Sequence, residues 1–369
     1  MSARELLRRL GPALGLVATW LLFAALCGAK FTSWNNHELM LLQTAVVGTA
    51  AVGATWIIVS GGIDLSVGST IALGTMVIAL LVRSGAPAWL AALAGVATGA
   101  LVGAGIGALV VGELGRAAGI ALGLGVGAWL GQQYGAWLGA AIGLAVAIGT
   151  GFLLRRALGR VELSPFIVTL GLWGALRGLA KGLGDNQPVY AESAEAMKSM
   201  ESLRGLMTTG GSAGLPTGVW ILLAVALLAA LAMRSTVFGR HVLAIGSNEE
   251  TARLCGLRVE RTKVLVYVLA LACAGIAAVL QTSYLSMGDP TTAQGYELKV
   301  IAAAVIGGAS LSGGQGSIAG TLVGALIMTV VDNGCTKLGL DNWVQELVTG
   351  AIIVAAVALD RLRARSSAP

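Results

Sequence analysis

This sequence predicts an all-α fold, a polytopic membrane helix bundle, and three observations carry that prediction. Of 369 residues, 56% are hydrophobic and only 11% are charged, with a mean hydropathy of +0.83. A soluble domain carries roughly 25% charged residues, so this much apolar surface needs lipid as its solvent. The apolar residues form long runs with basic residues clustered between them, and glycines and single acids interrupt some of the runs. Such interruptions predict broken or re-entrant segments.

A helix needs about 20 apolar residues to cross the hydrocarbon core. Runs of that kind cover 12–29, 39–59, 66–82, 86–111, 116–131, 135–154, 164–183, 218–233, 263–285, 298–310, 317–333 and 343–360. The runs 116–131 and 298–310 are short enough to be re-entrant. They add up to about ten core helices plus an extra hairpin, in one membrane domain over 1–369. The start, with Arg4, Arg8 and Arg9 before an apolar stretch, mimics a secretory signal. Cys27 follows Leu26 rather than a small residue, so an uncleaved first span is the better reading.

Basic clusters set orientation, because cytoplasmic loops retain Lys and Arg. They lie before the first run, at Arg155, Arg156 and Arg160, from Arg234 to Lys263, and at Arg361, Arg363 and Arg365. An even number of spans puts all of them on one face, so both termini are expected in the cytoplasm. Residues 184–217 then form an extracytoplasmic loop, in which "MKSMESLRGLM" predicts a short helix. The net charge of +6 reflects the inner face of a membrane, and nucleic acid need not be invoked. Four cysteines and two histidines, His37 and His241, have no metal-ligand spacing, so no metal site is expected.

The cytoplasmic stretch 235–262 contains "AIGSNEETARLCGLRVERTK". Ser247 followed by Glu250 reads as a capping box. Glu249 and Glu250 suit the positive end of the helix dipole and Arg253 lies further toward its negative end, while Gly256 suits a left-handed stop. This predicts a helix of two turns from Asn248, with Ala252 and Gly256 as small positions on its surface. The alternative is a solvated connector.

"GSNEETARLCGL", from Gly246, resembles the "GxNxxAARLSGI" loop of permease subunits in bacterial ABC importers for monosaccharides, the ribose and xylose type, a family related to branched-chain amino acid permeases. "SGGIDLSVGS" (Ser60 to Ser69), "SPFIVTLGLWGALRG" (Ser164 to Gly178) and "AAAVIGGASLSGGQGSIAGTLVGALIM" (Ala302 to Met328) are similar to three further family segments, in the family's order. Thr251 and Cys255 depart from the usual Ala and Ser. The resemblance implies a permease without enzymatic chemistry in the bacterial cytoplasmic (inner) membrane. Its partners would be a second permease copy (homodimer or close paralogue), a cytoplasmic ATPase subunit docking on Gly246 to Gly256, and a periplasmic or extracellular sugar-binding protein. ATP and Mg would be bound by the ATPase and no cofactor by this chain.

Leu311 to Gln315 spell "LSGGQ", the signature of ABC ATPases. The chain has no GxxxxGK segment followed by Ser or Thr to hold phosphate, and an uncharged run follows Gln315, so that reading is rejected. The same region shares the frame GGxxLS with the first glycine break: Gly61, Gly62 and Ser66 there, Gly307, Gly308, Gly313 and Gly314 here. The frame hints at two related halves, against chance recurrence in a glycine-rich chain.

Between 112 and 154, glycine recurs every fourth residue from Gly115 to Gly143. That spacing lets helix backbones approach closely in lipid, and predicts a helical hairpin turning at "QQY", packed at the bundle edge or on a symmetry mate. Asp64 follows the first glycine break, either capping a helix or lining the path. Trp56 and Trp173 are aromatics able to stack on sugar rings, without a signal to favour either. The runner-up function is a stand-alone secondary transporter or channel for a small polar solute, for which Asp64 is the clearest candidate acid, with Glu297 and Asp332 near predicted span ends.

Overall fold

The computed structural model describes residues 3–158, 163–208 and 214–366; Arg160 lies outside them. The helices are α1 (Ala3–Cys27), α2 (Ala29–Thr32), α3 (Trp34–Val59), α4 (Val67–Arg83), α5 (Ala88–Val110), α6 (Leu114–Tyr134), α7 (Ala136–Leu158) and α8 (Pro165–Leu183). They continue with α9 (Ala194–Arg204), α10 (Thr217–Ser235), α11 (Val237–Ser247), α12 (Glu249–Leu254), α13 (Val259–Leu285), α14 (Tyr296–Ile306), α15 (Ile318–Lys337) and α16 (Asn342–Ser366). Each apolar run of the sequence overlaps one of these helices, most of which extend beyond it. Six of the described helices are both long and apolar enough to cross a membrane: α3, α5, α8, α10, α13 and α15. The chain is a multi-pass membrane helix bundle.

α3 is apolar all round and buried almost all round, as expected of a central helix. α10, α13, α14 and α15 surround it. Glycine sets the close approaches. A side chain at Gly53 would strike the main chain of α13, and Gly99, Gly103 and Gly107 on α5 lie directly against α13 around Leu271, Gly275, Tyr267 and Val264. Lipid gives no hydrophobic drive between helices, so such backbone contacts and interhelical hydrogen bonds hold the bundle. Asn36 and Asn333 exchange two such bonds, at 2.8 and 3.0 Å, joining α3 to α15. Thr55 and Thr321 add a third at 2.8 Å.

α6 and α7 form the glycine hairpin. Gly119, Gly123 and Gly127 face Gly139, Gly143 and Ala147, and the turn is made at Gly135 with φ 101°. The hairpin meets the rest of the bundle chiefly through α5. α9 is the short helix of the 184–217 segment, capped by Ser193 and seated on α13, α4 and α5 through Ala196, Met200 and Leu203. The short α2 and α11 were not foreseen: α11 occupies what reads as loop, started by Thr236 accepting from Gly239 N at 3.1 Å.

Two segments cross the bundle half as helix and half as non-helical chain. After α3 the chain runs without helix from Ser60 to Ser66 before α4 begins. After α13 it runs without helix from Ser286 to Gly295 before α14 begins. This second stretch descends along α4: Gly288 lies against Ala79 and Met76, Asp289 accepts from Thr75, and the Ala293 carbonyl lies over Gly68. From Ala79 to Gly68 is roughly 16 Å of helix and the 11 residues of α14 cover roughly another 16 Å. Together they span about the 30 Å of a hydrocarbon core. The N-termini of α4 and α14 therefore meet near mid-height, pointing in opposite directions.

Candidate functional site: a coupling loop joined to a polar break

At one end of the bundle, Asn248 is extended (φ −162°, ψ 105°) and its side chain accepts from Thr251 N at 2.8 Å, capping α12. The expected cap, Ser247, instead ends α11 and bonds back to the Leu243 carbonyl at 3.0 Å. The helix forms at the expected place, but its cap is one residue later and Glu250 closes no capping box. A second correction concerns Ala252. It does not face outward but is buried against Ile245, Leu257 and Val259. Gly256 is exposed, with φ 82°. Glu249 pairs with Lys263 at 2.6 Å and with Arg253 at 3.4 Å, and Arg253 reaches Glu260 at 3.2 Å. Surface pairs contribute little each, but this set ties α12 to the start of α13. What faces outward is Glu250, Thr251, Leu254 and Cys255, with Leu254 88% exposed.

Directly behind α12, three chain segments meet main chain to main chain. Gly314 N donates to the Val59 carbonyl at 2.8 Å. A Cβ at Gly246 would overlap that carbonyl and stand 2.6 Å from Gly314 N. Gly313 (φ 83°) lies on Gly246 and on Gly61, itself at φ 83°. Gly62 faces the Tyr267 ring hydroxyl, and Gly307 lies against the main chain of Gly320 and Thr321. Gly308 turns at φ 95°. The two GGxxLS segments thus touch each other at the entry to α12. "LSGGQ" is the turn between α14 and α15, closed by Ser310 N on the Gln315 carbonyl at 3.0 Å.

From this junction the extended chain climbs to Asp64, which is 3% exposed. Its Oδ1 accepts from Ser66 N and Ser66 Oγ, both at 2.7 Å, so it shapes the start of α4, while Oδ2 has no hydrogen-bond partner. Facing it from the start of α14 is Glu297, 6% exposed, which accepts from the Trp173 indole and leaves Oε2 without a partner. Each carboxylate sits at a helix N-terminus, where the backbone dipole favours negative charge. That placement offsets part of the cost of ionisable groups at such depth. Arg177 donates to the carbonyls of Pro290 and Thr292 at 2.9 and 2.6 Å, satisfying backbone that no helix satisfies. Tyr267 OH and Arg177 Nη2 are also buried without hydrogen-bond partners. Trp56 is buried against Phe238, whereas Trp173 is 40% exposed.

Sequence reasoning placed Glu297 only near a span end, left Trp173 undecided and passed over Arg177, Tyr267 and Thr292. No local signal singled out Arg177 or Glu297, since Lys181 and Lys299 stand within four residues of them. Asp332 pairs with Lys299 at 2.6 Å, joining α15 to α14, and no group of His, Cys, Asp and Glu suited to a metal occurs among the described residues.

Residues 111–357 match the family described as branched-chain amino acid transport system / permease component. The chain belongs to this permease family. Over 334 residues the permease is 35% identical to the ribose import permease protein of Escherichia coli strain K12, covering 90% of this chain and 87% of that protein. It is 32% identical to the ribose import permease protein of Bacillus subtilis (96% and 93% covered), and 32% identical to the L-arabinose transport system permease protein of Escherichia coli (91% and 86%). No solved structure matches it. The permease is a transport component and not an enzyme.

Proposed function

We propose that the permease forms the membrane pathway of an ATP-driven importer for a monosaccharide of the ribose or xylose kind. The observation that carries this reading is α12: a capped helix with an exposed face, seated on a glycine junction that leads by continuous backbone to the Asp64 break. An ATPase subunit gripping Glu250 and Leu254 would move α12, and Gly246 would pass that motion to Val59, Gly61 and Gly314. Relatives that import ribose, L-arabinose and fructose support a sugar as cargo. The cytoplasmic placement of α12 and both termini is supported by Arg240, Arg253, Arg258, Arg261 and Lys263 around that helix. The complete importer would hold two permease copies, two ATPases carrying ATP and Mg, and a binding protein outside.

Co-purification with a cytoplasmic ABC ATPase and a sugar-binding protein, then reconstitution in liposomes, tests the reading. The expected result is ATP hydrolysis stimulated by loaded binding protein, with sugar uptake. A second reading, a stand-alone carrier, is favoured by the unpartnered oxygens of Asp64 and Glu297 at mid-height. Solute movement by the permease alone in liposomes would establish it and overturn the first.

A further inference from the structure

At mid-height, the surface formed by α8 and the extended segment before α14 differs from the other outward surfaces. Thr291 and Gln294 are exposed polar residues on backbone that is not helical. Lipid does not tolerate irregular, polar backbone at this depth, whereas a water-filled cavity does. The exposed outer positions of α10 are instead leucines, among them Leu227 and Leu228 at 61% and 67% exposure. Trp173, midway along α8, lies away from the interfacial position usual for tryptophan. Its indole N–H is held by Glu297, its backbone carbonyl accepts from Ser69 Oγ at 2.7 Å, and its ring remains 40% exposed.

We infer that Trp173 is a fixed aromatic platform on the water-facing wall of the pathway, against which the C–H face of a pyranose or furanose ring slides, with Gln294 and Thr291 hydrogen-bonding its hydroxyls. An apolar plate flanked by a few polar groups is the general composition of a small-ligand site. Gln294 offers both a donor and an acceptor, and the Thr291 hydroxyl, which donates to Asp289 Oδ1 at 2.7 Å, keeps lone pairs to accept. Glu297 is a positioning residue: it fixes the indole plane. This inference rests on the sugar-import reading for its cargo, but the wetness of the wall does not.

Two measurements on the full importer test it. In a permease lacking its four native cysteines, Thr291→Cys and Gln294→Cys should react with a charged, membrane-impermeant thiol reagent in open vesicles at least about tenfold faster than Leu228→Cys on α10, because lipid shields the latter. Equal, slow reaction at all three positions overturns the proposed water-lined wall. Trp173→Leu should lower sugar uptake about tenfold, the loss of one contact in the path, while binding-protein-stimulated ATP hydrolysis persists. Trp173→Phe should keep most uptake. Glu297→Gln, which keeps an acceptor for the indole, should also keep it, and Glu297→Leu should resemble Trp173→Leu. Full uptake by Trp173→Leu overturns the platform. A wild-type importer that moves no sugar would instead refute the cargo, with the labelling contrast still deciding the wall.

Discussion

The hairpin α6–α7 and the junction behind α12 are both made of glycine, and they use it differently. In the hairpin, Gly119, Gly123, Gly127, Gly139 and Gly143 repeat one contact, helix backbone on helix backbone. Each does the same work as its neighbours, and the pair meets the bundle chiefly through α5. At the junction, Gly246, Gly313 and Gly314 each meet a different backbone group, and three segments distant in sequence depend on them at once. Repetition makes a packing surface tolerant, whereas convergence makes a joint intolerant.

The sharpest way to break this contrast is Gly246→Val. Its side chain would collide with the Val59 carbonyl, so uptake should be abolished while the protein still inserts and co-purifies with its ATPase; normal uptake would show that the junction does not transmit motion. Next in size is Glu250→Lys on the exposed face of α12. Charge reversal there should abolish ATPase co-purification and uptake while membrane insertion stays intact, and unchanged co-purification would dismiss α12 as the docking element. Asn248→Ala removes the cap and should destabilise α12 by about 1 kcal/mol. Uptake should fall several-fold, and Asn248→Asp should restore it; equal uptake by Asn248→Ala would show that docking rebuilds the helix unaided. The smallest effect is expected in the hairpin. Gly123→Leu should push α6 from α7 and lower the melting temperature, leaving uptake within about twofold, as for changes remote from a functional element. A large uptake loss there would give the hairpin a role in transport.

Much of this was readable from sequence wherever the chemistry is local. The glycine period of four gave the hairpin, and the cap-rich "SNEE" gave α12. The cap itself was misplaced by one residue because Ser247 is consumed by α11, a helix whose only local cue is Thr236. Ala252 was set on the wrong face for the same reason: without α11 there was nothing for it to pack against. The polar break was half readable. Asp64 announced itself beside two glycines, but its counterpart Glu297 belongs to a helix start 233 positions later, and the two are brought together only by the descent of 286–295 along α4. Arg177 takes its partners from that same descent and Trp173 takes its own from the starts of α14 and α4, so no pattern within α8 marks them.

The opposed helix starts have an electrical consequence. Each N-terminus carries roughly half a positive charge, and Arg177 adds a full one. Asp64 and Glu297, when both ionised, cancel that sum, so this buried level of the bundle is close to neutral overall. If the proposed sugar path runs beside this level, an uncharged cargo leaves these balances undisturbed, whereas a phosphorylated sugar would upset all of them.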